Sequence, residues 1–188
     1  AKGREWSLNI RDVEGLRKSV SGIEVIVPTV AEWGVPAKYS KRTYTVPSFR
    51  GVLPDQQKIE TPKLKYGRYI NDTDVSQGRK VCVIGKRVFE ELFTDDENPC
   101  GKYISVDGIY YEVVGVDLST SNVGIAGQPQ ESVQIPYTVM RNIRNYGDKV
   151  DIITFTAKSS TTVASLENRV RQYLYRVHDI HPDDREAM

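Results

Sequence analysis

Apolar residues recur along this chain with two spacings, and the alternation between them lays out the elements before any motif is considered. Between residues 9 and 20, Val13, Leu16 and Val20 fall three and four apart, the repeat that puts side chains on one face of a helix. Asn9 stands where a capping side chain is favoured, and Asp12, three residues on, suits the positive helix end. Gly3 to Leu8 ahead of it predicts a short strand, and Ser21-Gly22 closes the helix. Ile23 to Val30 is rich in β-branched residues and predicts a strand. Lys41 to Val52 alternates Tyr44, Val46 and Phe49 with polar residues, as a half-buried strand does. Gly34-Val35-Pro36 is the expected turn between these two strands.

From Leu53 to Gly78 the sequence is dense in turn formers and charges, which predicts an ordered connection without a periodic element. Lys80 to Ile84 is a compact apolar strand, and after Gly85 the spacing of Val88, Phe89, Leu92 and Phe93 predicts a helix. Lys102 to Val106, Asp107-Gly108 and Ile109 to Val116 form the clearest signal, because Asp-Gly supplies the positive φ angles of a two-residue hairpin turn. Leu118 to Gln130 is too polar to pack and longer than an ordinary connection, so a mobile surface loop is expected there. Val133 to Ile135 resumes a strand that Pro136 ends, and Tyr137 to Ile143 predicts helical turns. Val150 to Ala157 is a last strand, and Val163, Leu166, Val170 and Leu174 stripe a helix over Thr162 to Val177.

Composition removes several functional classes. Hydrophobic residues at 39% and charged residues at 27% of 188 are those of a globular protein large enough to bury a core without staples. A formal charge of +1, with basic and acidic residues interspersed, gives no field that would hold a polyanion, so no nucleic-acid partner is expected. No apolar run approaches the roughly 18 residues needed to cross a bilayer, and no signal-peptide pattern opens the sequence.

Chemistry-bearing patterns are scarce. There is no G-x-x-x-x-G-K-[ST] cradle, no dinucleotide fingerprint around Gly115 and no G-x-S-x-G elbow, so the chain is expected not to be an enzyme and to hold no cofactor. Cys82 and Cys100 read as small buried hydrophobes, with a disulfide as the alternative in an oxidising compartment. His178 and His181 stand three apart, and Asp183 or Asp184 could complete a zinc set. A solvated helix end is the expected reading, and no metal site is assigned. Trp6, Trp33 and the eleven tyrosines read as packing residues rather than a carbohydrate platform.

The order of the pieces carries more information than any one of them. Gly51-Val52, then Gly67-Arg68-Tyr69, Asp74, the strand Val81 to Gly85 and the helix Val88 to Phe93 come in sequence. They are followed by N-P-C-G-K-Y-I-S-V-D-G-I-Y-Y-E-V-V-G-V and Q-I-P-Y-T-V. This succession resembles the MacB-like periplasmic core domain of ABC-transporter permeases of the FtsX-like family, over nearly the whole chain. The cysteines depart from it, standing where the family has aliphatic or small residues.

The resemblance implies an α+β fold of two lobes. A helix-on-sheet, porter-like lobe would take roughly residues 1–50 and 131–188, and a smaller, mainly β lobe roughly 51–130. It implies transmembrane helices beyond both ends of the chain, anchoring it on the periplasmic, extracytoplasmic face of a bacterial inner membrane. The implied partners are a second permease copy, a cytoplasmic ATPase subunit or domain, and a periplasmic adaptor protein. The implied function is mechanical coupling of ATP hydrolysis to export or other periplasmic work, the alternative being a free-standing periplasmic module that binds a peptide or lipid. Asp107 and Gly108 at the hairpin tip and Asn122, Gly124 and Gly127 in the polar loop are the candidate partner contacts, because both segments expose backbone on a rigid scaffold.

Overall fold

A computed structural model describes residues 6–94 and 97–180, which fall into two compact units, one of residues 6–28 with 148–180 and one within 29–147. The elements in chain order are α1 (Ile10–Ser19), β1 (Ile23–Tyr39), β2 (Arg42–Val52), β3 (Leu64–Gly67), α2 (Asp72–Ser76), β4 (Val81–Gly85), α3 (Lys86–Leu92), β5 (Tyr103–Val106), β6 (Ile109–Asp117), β7 (Ser132–Pro136), α4 (Tyr137–Arg144), β8 (Ile152–Ala157) and α5 (Val163–Val177). Single 3-10 turns occupy Pro54–Lys58 and Pro129–Glu131.

The first unit is two helices on a small piece of sheet. Asn9 caps α1 in a reciprocal box. Its side chain accepts from the Asp12 amide at 3.2 Å, and the Asp12 carboxylate accepts from the Asn9 amide at 2.9 Å. Val13, Leu16 and Val20 of that region meet Leu166, Val170 and Leu174 of α5 in one core, with Ile153 and Phe155 of β8 against it. Residues 6–8 form no strand. The chain start is held instead by an isolated antiparallel bridge, Asn9 to Lys149, flanked by hydrogen bonds from the Ile10 amide to Asp148 and from the Val150 amide to Leu8. The rest of the predicted strand, Gly3 to Glu5, lies outside the described residues.

The second unit is a closed ring of six strands. β1 pairs with β2, β2 with β7, β7 with β4, β4 with β6, β6 with β5, and β5 returns to β1. The β2–β7 and β4–β6 pairs are parallel and the other four antiparallel, while β3 adds to the far half of β6. Alternate residues point into the ring, where Phe49 and Tyr111 meet edge to face at 5.9 Å and Ile104, Val106, Val113 and Ile135 are fully buried.

Several expectations change. Gly34-Val35-Pro36 does not turn the chain. β1 keeps one register with β2 from Val30–Gly51 to Tyr39–Arg42, and the reversal comes at Ser40-Lys41, with Ser40 at φ 54°. Gly34 bends at φ 68° opposite Pro47, which has no amide to lose from the ladder. Leu53 to Gly78 is more structured than its composition suggests, holding a 3-10 turn, β3 and α2. The lobe changes expected near 50 and 130 fall inside the 29–147 unit, because β2 and β7 are neighbouring staves of the ring, and the mainly β unit is the longer one.

The Gly67-Arg68-Tyr69 and Asp74 signature proves to be a buried ionic knot. Asp74, fully buried, caps α2 with Asn71 and takes a two-pronged contact from Arg68, at 2.7 Å to one oxygen and 3.1 Å to the other. Burial raises the carboxyl's pKa, but the Arg68 fork, the Asn71 amide and Arg79 together outweigh burial and hold it below the ordinary aspartate value. A depressed folded-state pKa means that the stabilisation is complete above the unfolded value of about 4 and is lost as pH falls through the folded one. Asp74→Asn is therefore expected to lower unfolding free energy by about 2 kcal/mol at pH 7. In urea titrations at several pH values, its deficit against the parent shrinks below about pH 4.

Candidate partner-contact site

The hairpin tip is built as its sequence demands. Asp107 and Gly108 take φ angles of 50° and 82°, Val106 pairs with Ile109, and the Asp107 amide donates to the Pro36 carbonyl at 2.9 Å. Both tip residues are exposed.

Residues 118–130 are not the loosely held surface loop that their polarity predicts. At the near end the Asp117 carboxylate accepts the Lys63 and Ser119 amides at 2.9 and 2.8 Å. Across the loop neck, Gln130 exchanges two bonds of 3.0 Å with the Ser121 backbone. The apex is held from inside the fold. Ser48 donates to the Ala126 carbonyl, Arg50 donates to the Ile125 carbonyl, and the Ile125 amide donates to Glu60 Oε1 at 2.9 Å. Glu60 in turn accepts both terminal nitrogens of the wholly buried Arg50, at 3.0 and 2.9 Å, and the Gln56 amide at 3.3 Å. Gly127 sits at φ 107°, where a Cβ would come within 2.7 Å of Ser48 Cβ and 3.0 Å of the Trp33 ring, so no larger residue fits there unaltered.

Ser48 and Arg50, which hold the loop apex, are the residues that periodicity missed. Both are fully buried on the face of β2 opposite Phe49, and two polar residues between Val46 and Val52 were the available signal. On the outer side of the loop, Asn122 is exposed, Gly124 and Gly127 are half-buried, Val123 is 82% exposed and Trp33, touching Gly127, is 62% exposed. None of the thirteen residues 118–130 is charged. The candidate contacts do not form one site. The tip opens β6 at Ile109 and the loop leaves it at Asp117, a strand length of about 26 Å.

In the unit of the chain ends, His178 is not solvated. Its Nε2 lies 2.9 Å from both Asp12 oxygens, and its ring is 4.9 Å from that of Trp6. The same carboxylate that caps α1 thus meets the residue that ends α5. His181 lies outside the described residues, and among those described no three His, Cys, Asp or Glu gather as a metal site. Cys82 is buried and Cys100 half-buried, both free, and burial pushes both thiols up, away from thiolate chemistry. Beside the clasp an apolar cleft of about 250 Å³ is walled by Trp6, Leu8, Ile153, Phe155 and Leu174. Among the described residues no helix is long and apolar enough to cross a membrane.

Comparison with known proteins agrees with this geometry. The periplasmic region of MacB from Actinobacillus actinomycetemcomitans superposes with a TM-score of 0.78 at 23% identity, covering 95% of this chain and 78% of that one. The extracellular domain of the noncanonic ABC-type transporter YknZ from Gram-positive bacteria gives 0.75 at 21% identity, covering 92% and 85%. Among curated relatives, a macrolide export ATP-binding/permease protein MacB of Aggregatibacter actinomycetemcomitans is 26% identical over 92% of this chain. A pyoverdine export ATP-binding/permease protein PvdT of Pseudomonas fluorescens is 28% identical over 60% of the chain. The chain spans 26% of the length of that MacB and 17% of that PvdT. The family model described as MacB-like periplasmic core domain matches residues 2–173, and with nearly all of the chain inside it, the chain belongs to that family.

Proposed function

We propose that this domain works as a mechanical element of an ABC-transporter permease, passing movement driven by a cytoplasmic ATPase to export or other work on the outer side of the membrane. The observation that carries the reading is the clasp of Trp6, Asp12 and His178. It gathers the beginning and the end of the described chain into one small unit, between whose two segments residues 29–147 are inserted. Membrane helices joined to both ends would then act on a single body, and a rigid body is what a hinge or shear displacement needs to travel through. The ATPase biases a two-state arrangement and this domain follows it, with no bond made or broken here.

Within this reading the transporter contains a second permease copy, and a periplasmic adaptor docks on the hairpin tip or on the polar loop, where Asn122, Gly124 and Gly127 lie. The loop's lack of charge suits an uncharged partner surface, since an ion buried against it would lose its hydration without gaining a counter-charge. The apolar cleft beside the clasp favours the alternative of a binding module for a peptide or lipid.

The gene's reading frame separates the two. Apolar spans of about 20 residues flanking this segment support the permease, whereas a cleaved signal peptide with a stop near Met188 supports the module. In the full-length protein, replacing residues 29–147 by a flexible linker is expected to leave ATP hydrolysis running while transport stops. Transport that persists would overturn the mechanical reading. Asp12→Ala removes the carboxylate half of the α1 capping box and the partner of His178, and thermal unfolding is expected to register a loss of about 1–2 kcal/mol. Transport per ATP should fall with it.

A further inference from the structure

Glu60 is placed as no solvent-facing connection residue would be. It follows the 3-10 turn Pro54–Lys58, yet its two oxygens receive four donors, drawn from β2 (Arg50, twice), from the turn (Gln56) and from the loop apex (Ile125). Arg50 faces the same apex, donating to the Ile125 carbonyl while paired to Glu60. The backbone amide and carbonyl of Ile125 are therefore both held by one buried ion pair, ten residues apart in sequence on its own side and more than sixty from the loop. Ser48 fixes the next carbonyl, that of Ala126, from the same face of β2.

We infer that the Arg50–Glu60 pair is a latch that gives residues 121–127 their shape, making Glu60 a positioning residue for the surface formed by Asn122, Val123 and Trp33. This rests on reading that loop as a partner contact. A segment rich in glycine and serine loses much conformational entropy on ordering, and an uncharged partner offers it no strong bonds in return. Ordering the loop in advance, by bonds to charged groups inside the fold, removes that cost from the docking step. The loop is then uncharged where a partner meets it and ionically held where none can reach.

The latch is separable from plain stability. Removing one member of a buried pair strands the other charge, but replacing both with apolar side chains of similar size is often neutral for the fold. Hydrogen exchange with mass spectrometry on the whole protein would compare the parent with Glu60→Ala and with Arg50→Met/Glu60→Met. In both variants peptides covering 121–127 are expected to exchange at least about tenfold faster than in the parent, with the double variant unfolding near the parent temperature. Unchanged exchange at 121–127 in the double variant would overturn the latch.

Transport by full-length Val123→Asp tests the contact role separately. If transport is lost while exchange at 121–127 stays at the parent level, the docking reading stands. If transport is retained that reading falls, and the exchange data still decide the latch.

Discussion

Closure of the six-strand ring depends on a narrow seam. Only Ala37–Val106 and Lys38–Ser105 join β1 to β5, whereas β1 and β2 share a ladder running from Val30–Gly51 to Tyr39–Arg42. Were the chain to turn at Gly34, as its composition invites, Ala37 and Lys38 would not reach β5 and the ring would stand open with two unpaired edges. The reversal at Ser40-Lys41 is therefore a condition of the barrel. Everything mounted on it, including Ser48 and Arg50 of β2, which hold the polar loop, inherits its position from that register.

Much of the fold was legible because local and tertiary preferences agree there. The α1 stripe, the Asp107-Gly108 hairpin, the apolar β4 and the α5 stripe each satisfy their own period and also fill a core. Legibility failed where a distant partner overrode local chemistry. Pro36 looks like a breaker, but its carbonyl serves Asp107 and its missing amide costs the ladder little. Residues 118–130 look loose, but Glu60 and Arg50, remote in sequence, satisfy the Ile125 amide and carbonyl at their apex. His178 looks solvated until Asp12 is brought to it. The hairpin at Asp107-Gly108 has the turn geometry its sequence predicts, whereas the loop of 118–130 is tied by more hydrogen bonds than its polarity predicts.

One chemical device recurs at three places. Asn9 with Asp12 and Asn71 with Asp74 are the same capping box, and in each the carboxylate at the third helical position also receives a basic side chain, His178 in one and Arg68 in the other. Glu60 does comparable work without a helix, collecting Arg50, Gln56 and a backbone amide. In a chain of nearly balanced charge, these sheltered acids act as joints between segments, in the case of Asp12 beside the apolar core that α1 and α5 already share.

The parallel pairing of β2 with β7 also sets an order on events during biogenesis. Ser48 to Val52 find their partners only at Ser132 to Pro136, so β2 waits for the synthesis of some eighty intervening residues before its second edge is covered. The unit of the chain ends waits longer still, since the α1 core is completed by Leu166, Val170 and Leu174. A chain emerging N-terminus first thus finishes its inserted barrel before the helices that embrace it in sequence. An exposed β2 edge in the interval is the point at which a chaperone on the receiving side would be most needed.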